Sequence, residues 1–199
     1  MTAAISRRKE PPEANTAPST RSVVLGVAVS LDGYIARANG SVDWLIPDPT
    51  IDLGTYAKSF DVIVAERKTL DLDHANGRGG RPWGKMSCFV FSRTTPPGKR
   101  HGAEYLNRPP GELVHELKTL PGKDIWLMGG GELARDFLKE DLVDRMDLGV
   151  MPVLLGEGIP LFPSGFPQRN FPLVKYEAHP RGIVVSSYAR VSSNSAQRN

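Results

Sequence analysis

Apolar residues gather into short unbroken runs, separated by polar segments that carry glycine and proline. Val23–Val29, Asp61–Ala65, Met86–Phe91 and Ile125–Met128 are four such runs. Runs of this length predict strands buried on both faces, because a half-exposed strand would alternate apolar and polar positions. Two segments show helical spacing instead. Within Glu112–Leu120, Leu113, Leu117 and Leu120 share a face, and Pro121-Gly122 ends the helix. Glu132–Lys139 carries a stripe of Leu133, Ala134, Phe137 and Leu138. Residues 49–59 predict a shorter helix begun by Pro49, and Val143–Val150 a strand interrupted by Gly149. Segments 172–178 and 183–191 flank His179-Pro180-Arg181-Gly182, which predicts a C-terminal hairpin.

Buried strands that alternate with helices predict an α/β three-layer sandwich. Its central sheet is mostly parallel, with the hairpin adding antiparallel strands at one edge. Ligands of such sheets bind beyond the carboxyl ends of the strands. Four segments follow strands and are therefore expected to line one cleft: the loop after Val29, Arg67–Thr69, Ser92-Arg93 and Gly129-Gly130-Gly131. The expected organisation is a leader (1–20) that buries nothing, one domain (21–191) and a flexible tail (192–199).

The length of 199 residues suits one good core and not two. No apolar run approaches a membrane span of roughly 20 residues, and the first twenty residues lack the apolar stretch of a secretory signal. Cys88 is the only cysteine, so an intrachain disulfide is impossible, and a cytoplasmic location is expected. The net charge of +3 is too small to imply nucleic acid. Asp71, Asp73 and His74 lie beside a Gly/Arg-rich loop that fixes no geometry, so no metal site is expected there.

The glycine triplet sits between an apolar strand and an amphipathic helix. Glycine lets backbone approach a ligand closely. A helix beginning there presents free N–H groups and a positive dipole end, which suits an anion such as a pyrophosphate. A ligand-free strand-to-helix turn has the same local pattern.

Five segments in order resemble the dihydrofolate reductase superfamily, in particular the branch containing the reductase domain of the bifunctional riboflavin-synthesis protein. They are VAVSLDGYIARANGSVDWL (27–45), DVIVAERKTLD (61–71), FVFSRT (89–94), IWLMGGGELARDFL (125–138) and LVDRMDLGVMPVLLGEGIPLF (142–162). FVFSRT looks most like the small stand-alone members. The resemblance implies a homodimeric reductase that takes hydride from NADPH and passes it to a small pterin- or aminopyrimidine-like heterocycle. It implies that Arg67 pairs with the cofactor's 2′-phosphate, Thr69 with its pyrophosphate, and Lys68 with the same region. Ser92 and Arg93 would meet the adenosine phosphate. Gly129 and Gly130 match a pair joined by a cis peptide, with Met128, Gly131, Glu132 and Leu133 alongside. Ala28 and Val29 match the strand end beside the nicotinamide. Residues 35–42, with Ile35, Ala36 and Ser41, match a mobile loop that closes over it. Asp48, after Trp44, is the foremost candidate acid, Asp32 the second. Trp44 and Asp52 are expected on the substrate side.

Two departures matter. Glu66 stands where many members have glycine, and a carboxylate beside a phosphate site is unfavourable unless it points away. No arginine matches the one that grips folate's glutamate, so folate itself is a poor fit. A single cysteine excludes the companion deaminase. The alternative to an enzyme is a non-catalytic nucleotide-binding protein that keeps the cofactor cleft.

Overall fold

A computed structural model describes residues 21–73 and 84–190; the expected leader, the tail and His74 lie outside these residues. In chain order the first elements are β1 (Val23–Ser30), β2 (Tyr34–Ala36), α1 (Leu53–Ala57), β3 (Phe60–Glu66), α2 (Arg67–Asp73) and β4 (Ser87–Phe91). Then come β5 (Gly98–Arg100), β6 (Ala103–Leu106), α3 (Pro110–Lys118), β7 (Asp124–Gly129) and α4 (Gly131–Lys139). The chain closes with β8 (Arg145–Met151), β9 (Ile159–Pro160), β10 (Leu173–Ala178) and β11 (Val184–Ala189).

Among the described residues the main sheet runs β10-β11-β8-β1-β7-β3-β4-β6-β5. The six strands from β8 to β6 are parallel, and the hairpin β10–β11 and the edge strand β5 are antiparallel. This is the expected architecture. The continuous apolar runs are explained by burial on both faces. Val23, Leu25, Val62, Val64, Ile125 and Leu127 point to one side, where they pack with Leu113, Val114 and Leu117 of α3 and Leu133, Phe137 and Leu138 of α4. Val24, Ile63 and Trp126 point to the other side, packed with Phe60 and with Tyr56 of α1. Leu70 of α2 covers Val90, Ala103 and Tyr105 on a third cluster.

Several details differ from the sequence expectation. Helix α1 begins at Leu53 and not at Pro49, because the Asp52 carboxylate accepts the Thr55 N–H at 2.9 Å and caps it. The basic motif at 67–69 is the opening of a helix, α2. Strands β5 and β6 extend the sheet past β4, where no strand is expected from the sequence. A separate two-stranded ladder pairs β2 with β9.

Candidate functional site

Strands β1, β7, β3 and β4 are neighbours and run parallel, so their carboxyl ends lie side by side. The four segments expected to share a cleft leave from these ends. Glu66 at the end of β3 pairs in register with Phe91 of β4, and Ala65 with Gly129 of β7. Arg67, Lys68 and Thr69 form the first turn of α2 immediately beyond. Arg93 Nη2 reaches across to Glu132 Oε2 at 2.5 Å, tying the loop after β4 to the first turn of α4. The Ser92 hydroxyl is turned inward, where it accepts the Thr95 N–H at 2.9 Å and holds its own turn.

The three glycines of the triplet serve three different ends. Gly129 has φ +92°, and the space where a side chain would stand is open. The peptide between Gly129 and Gly130 is cis, as the resemblance implied. At Gly130 a Cβ would lie 2.7 Å from Glu66 Oε2, and at Gly131 it would lie 2.2 Å from the Pro160 carbonyl oxygen. The Glu66 carboxylate therefore does not point away. Its Oε1 accepts the Leu133 N–H at 2.7 Å, at the start of α4. Burial pushes its carboxyl up, opposed by that hydrogen bond, while Glu132 adds to the rise and Lys68 and Arg93 oppose it. Val29, Ala36 and Leu133 have buried side chains, so only their backbone can face a ligand. Met128 packs beside Trp126. Arg67 Nη1 holds Asp71 Oδ2 at 2.5 Å and stays 40% exposed, within reach of an incoming anion.

The segment matched to a mobile loop is anchored at its start. Ile35 and Ala36 belong to β2, and the Ser41 hydroxyl donates to Asp43 Oδ1 at 2.9 Å. Asp32 is fully engaged: it accepts from the Ser30 hydroxyl at 2.6 Å and from the Leu155 and Gly156 N–H groups at 3.0 and 2.7 Å. It staples the turn after β1 to residues 155–156. Those bonds, Ser30 foremost, hold its carboxyl below the ordinary range. Asp52 is the helix cap described above. Asp48 differs. Its Oδ1 accepts from Thr50 N and Oγ1 at 2.9 and 2.7 Å, while Oδ2 is buried with no hydrogen-bond partner among the described residues. The Thr50 bonds hold Asp48 low as well, helped by the Arg181 backbone N–H and by His179 in the hairpin loop. Trp44 is buried against Met151 and Ile183, beside Ala28, and its Nε1 also lacks a partner. An open donor and an open acceptor thus sit four positions apart in one segment.

Comparison with known proteins gives a consistent answer. The family model described as the RibD C-terminal domain matches residues 21–185. The uncharacterized protein YyaP of Bacillus subtilis (strain 168) is 35% identical over 178 residues, covering 84% of this chain and 94% of YyaP. A Shewanella sp. PV-4 protein, provisionally named a riboflavin biosynthesis protein, superposes with a TM-score of 0.74 at 30% identity, covering 86% of this chain and 99% of that one. Dihydrofolate reductase from Enterococcus faecalis, solved with NADP(H), superposes with a TM-score of 0.64 at 14% identity, covering 86% and 97%, which speaks to the fold alone.

Proposed function

Because this chain belongs to the RibD C-terminal domain family, whose fold is that of reductases, we propose that it is an NADPH-dependent reductase of a small heterocycle of the pterin or aminopyrimidine kind. The observation that carries the reading is that four parallel strand ends lie side by side at Gly129, where no described residue beyond its chain neighbours comes within 4 Å of the place a Cβ would take. Arg67, Lys68 and Arg93 border that space with positive charge, which suits the phosphates of a dinucleotide. NADPH, when bound, supplies the hydride from its nicotinamide C4. The chain's own part is to orient the two rings and to exclude water.

On the substrate side Asp48 is the residue we assign. Its Oδ2 is buried without a hydrogen bond of good geometry, with the Arg181 backbone N–H acting on the carboxylate from the hairpin loop, and a ring N–H or exocyclic amine would complete its bonding. Held ionised, Asp48 orients the ring by accepting a hydrogen bond, and an ordered water delivers the proton. Asp32, with both oxygens occupied, serves the fold of the cleft's rim. We also read the protein as a homodimer: β10 is an edge strand with Leu173, Val174 and Tyr176 exposed.

The test is to follow loss of reduced-nicotinamide absorbance with panels of pterins, aminopyrimidines and quinones. Oxidation that depends on a pterin or pyrimidine is the expected result. Tight NADPH binding with no acceptor oxidised would refute the reductase reading and favour the non-catalytic nucleotide-binding protein.

A further inference from the structure

The Glu66 carboxylate stands where a diphosphate is expected. Its Oε1 accepts the Leu133 N–H at 2.7 Å, one of the free donors at the start of α4. Its Oε2 lies only 2.7 Å from the point where a Gly130 Cβ would be, so the group occupies space that a side chain at Gly130 would fill. A helix start of this kind attracts an anion, and here the chain brings its own. The contact is not held by a dedicated cation. Arg93 beside it is bound to Glu132, and Lys68 is exposed.

We propose that Glu66 is a displaceable internal anion, which occupies the diphosphate position in the free protein and must be expelled before a dinucleotide can bind. The inference rests on the cofactor reading above. It follows from exclusion: a phosphate oxygen taking the Leu133 N–H must occupy the volume of Oε1, and two anions at such range repel. Expulsion is feasible because the side chain is long and regains hydration when it swings out. Glu66 therefore weakens the protein's affinity for dinucleotides without abolishing it. It also raises the discrimination against ligands too weakly anionic to displace it.

The experiment is titration calorimetry on the full chain, with NADPH and separately with inorganic pyrophosphate, for the wild type, Glu66→Gln and Glu66→Ala. Glutamine keeps the hydrogen bond to Leu133 N–H but not the charge, and it is nearly isosteric, so it guards against a folding defect in the alanine variant. The expected order of affinity is Ala above Gln above wild type, with alanine about ten- to a hundred-fold tighter for every probe that binds, since the lost competitor is a charge-assisted hydrogen bond. Neither probe binding more tightly to either variant would overturn the proposal. NADPH binding equally to all three proteins would leave the cofactor reading standing and remove the internal anion. Pyrophosphate tightening in that order, with NADPH bound by none of the three, would uphold the internal anion and remove the cofactor reading.

Discussion

Replacing Gly131 by alanine tests why the triplet has its third glycine. The new Cβ would lie 2.2 Å from the Pro160 carbonyl oxygen and 3.3 Å from Pro163 Cδ. The first distance is roughly 1 Å or more short of ordinary contact. The atom opposed is backbone and cannot rotate away. Pro160 belongs to β9, which pairs with β2, so relief must move that ladder and with it the start of the 35–42 loop. Overpacking of this kind costs about 1–3 kcal/mol. Alanine returns at most about 1 kcal/mol of helix propensity, and less here because Gly131 is the first residue of α4. The steric cost should win, with a net loss of about 1–2 kcal/mol. For a domain of this size that lowers Tm by about 2–8 °C. Gly130→Ala is the control: its Cβ meets only the end of the Glu66 side chain, which can turn aside. It should retain the fold and lose NADPH binding, because the methyl fills the diphosphate position. Urea and thermal unfolding of both variants give the comparison. A Gly131→Ala protein as stable as the wild type would show that β9 does not press on the turn, and the packing argument would fall.

Three further outcomes are expected. Arg67→Ala should weaken NADPH about ten- to a hundred-fold, the loss of a charge-assisted contact, and leave NADH almost unchanged; equal losses by calorimetry would remove the 2′-phosphate assignment. Its ion pair with Asp71 is a surface i,i+4 pair, so stability should change by only about 0.3–0.5 kcal/mol. Asp48→Asn should lower turnover with NADPH affinity intact, since the group serves substrate and not cofactor; unchanged kcat and KM would take Asp48 out of the site. Asp32, held low by Ser30, Leu155 and Gly156, stabilises the fold above its unfolded pKa, and that stability is lost as pH falls through its folded pKa. The stability gap between wild type and Asp32→Asn should therefore be full at neutral pH and close below about pH 4; a gap independent of pH would mean that ionisation of Asp32 contributes nothing.

The central strands and both long helices were legible because each carries a strong periodic signal. Val23–Val29 reads as a strand since its alternate residues fill two different cores, and α4 reads as a helix since Phe137 and Leu138 fall on one face. The elements that escaped are short or exposed. Strand β5 has three residues, all exposed, and β9 is only two residues long, so neither can show a period. Helix α2 was masked by its own chemistry, Arg67-Lys68-Thr69 reading as a binding motif before it reads as a first turn. The candidate cofactor segments follow strands in the sequence and so were placeable from topology. Which way Glu66 points, and which aspartate keeps a free oxygen, depend on partners tens of residues away. Asp32 meets Leu155, and Glu66 meets Leu133, through contacts that no local pattern encodes.

The sheet order also sets a timetable for synthesis. Strand β1 is made first among the strands, yet it pairs only with β7 and β8, about a hundred residues later in the chain. At roughly 5–20 residues per second on the ribosome, the segment VVLGVAVS waits on the order of 5–20 s for either neighbour to emerge. Meanwhile β3, β4, β6 and β5 are already complete and can pair with one another. The nascent chain thus carries an apolar, unpaired strand with open edges for seconds, which is a template for wrong partners. The sheet becomes continuous across β1, β7 and β3 only when β7 enters between them, and the walls of the cleft cannot exist as a unit before that. A ribosome stall between residues 30 and 124 would leave the apolar strand VVLGVAVS without either of its sheet neighbours.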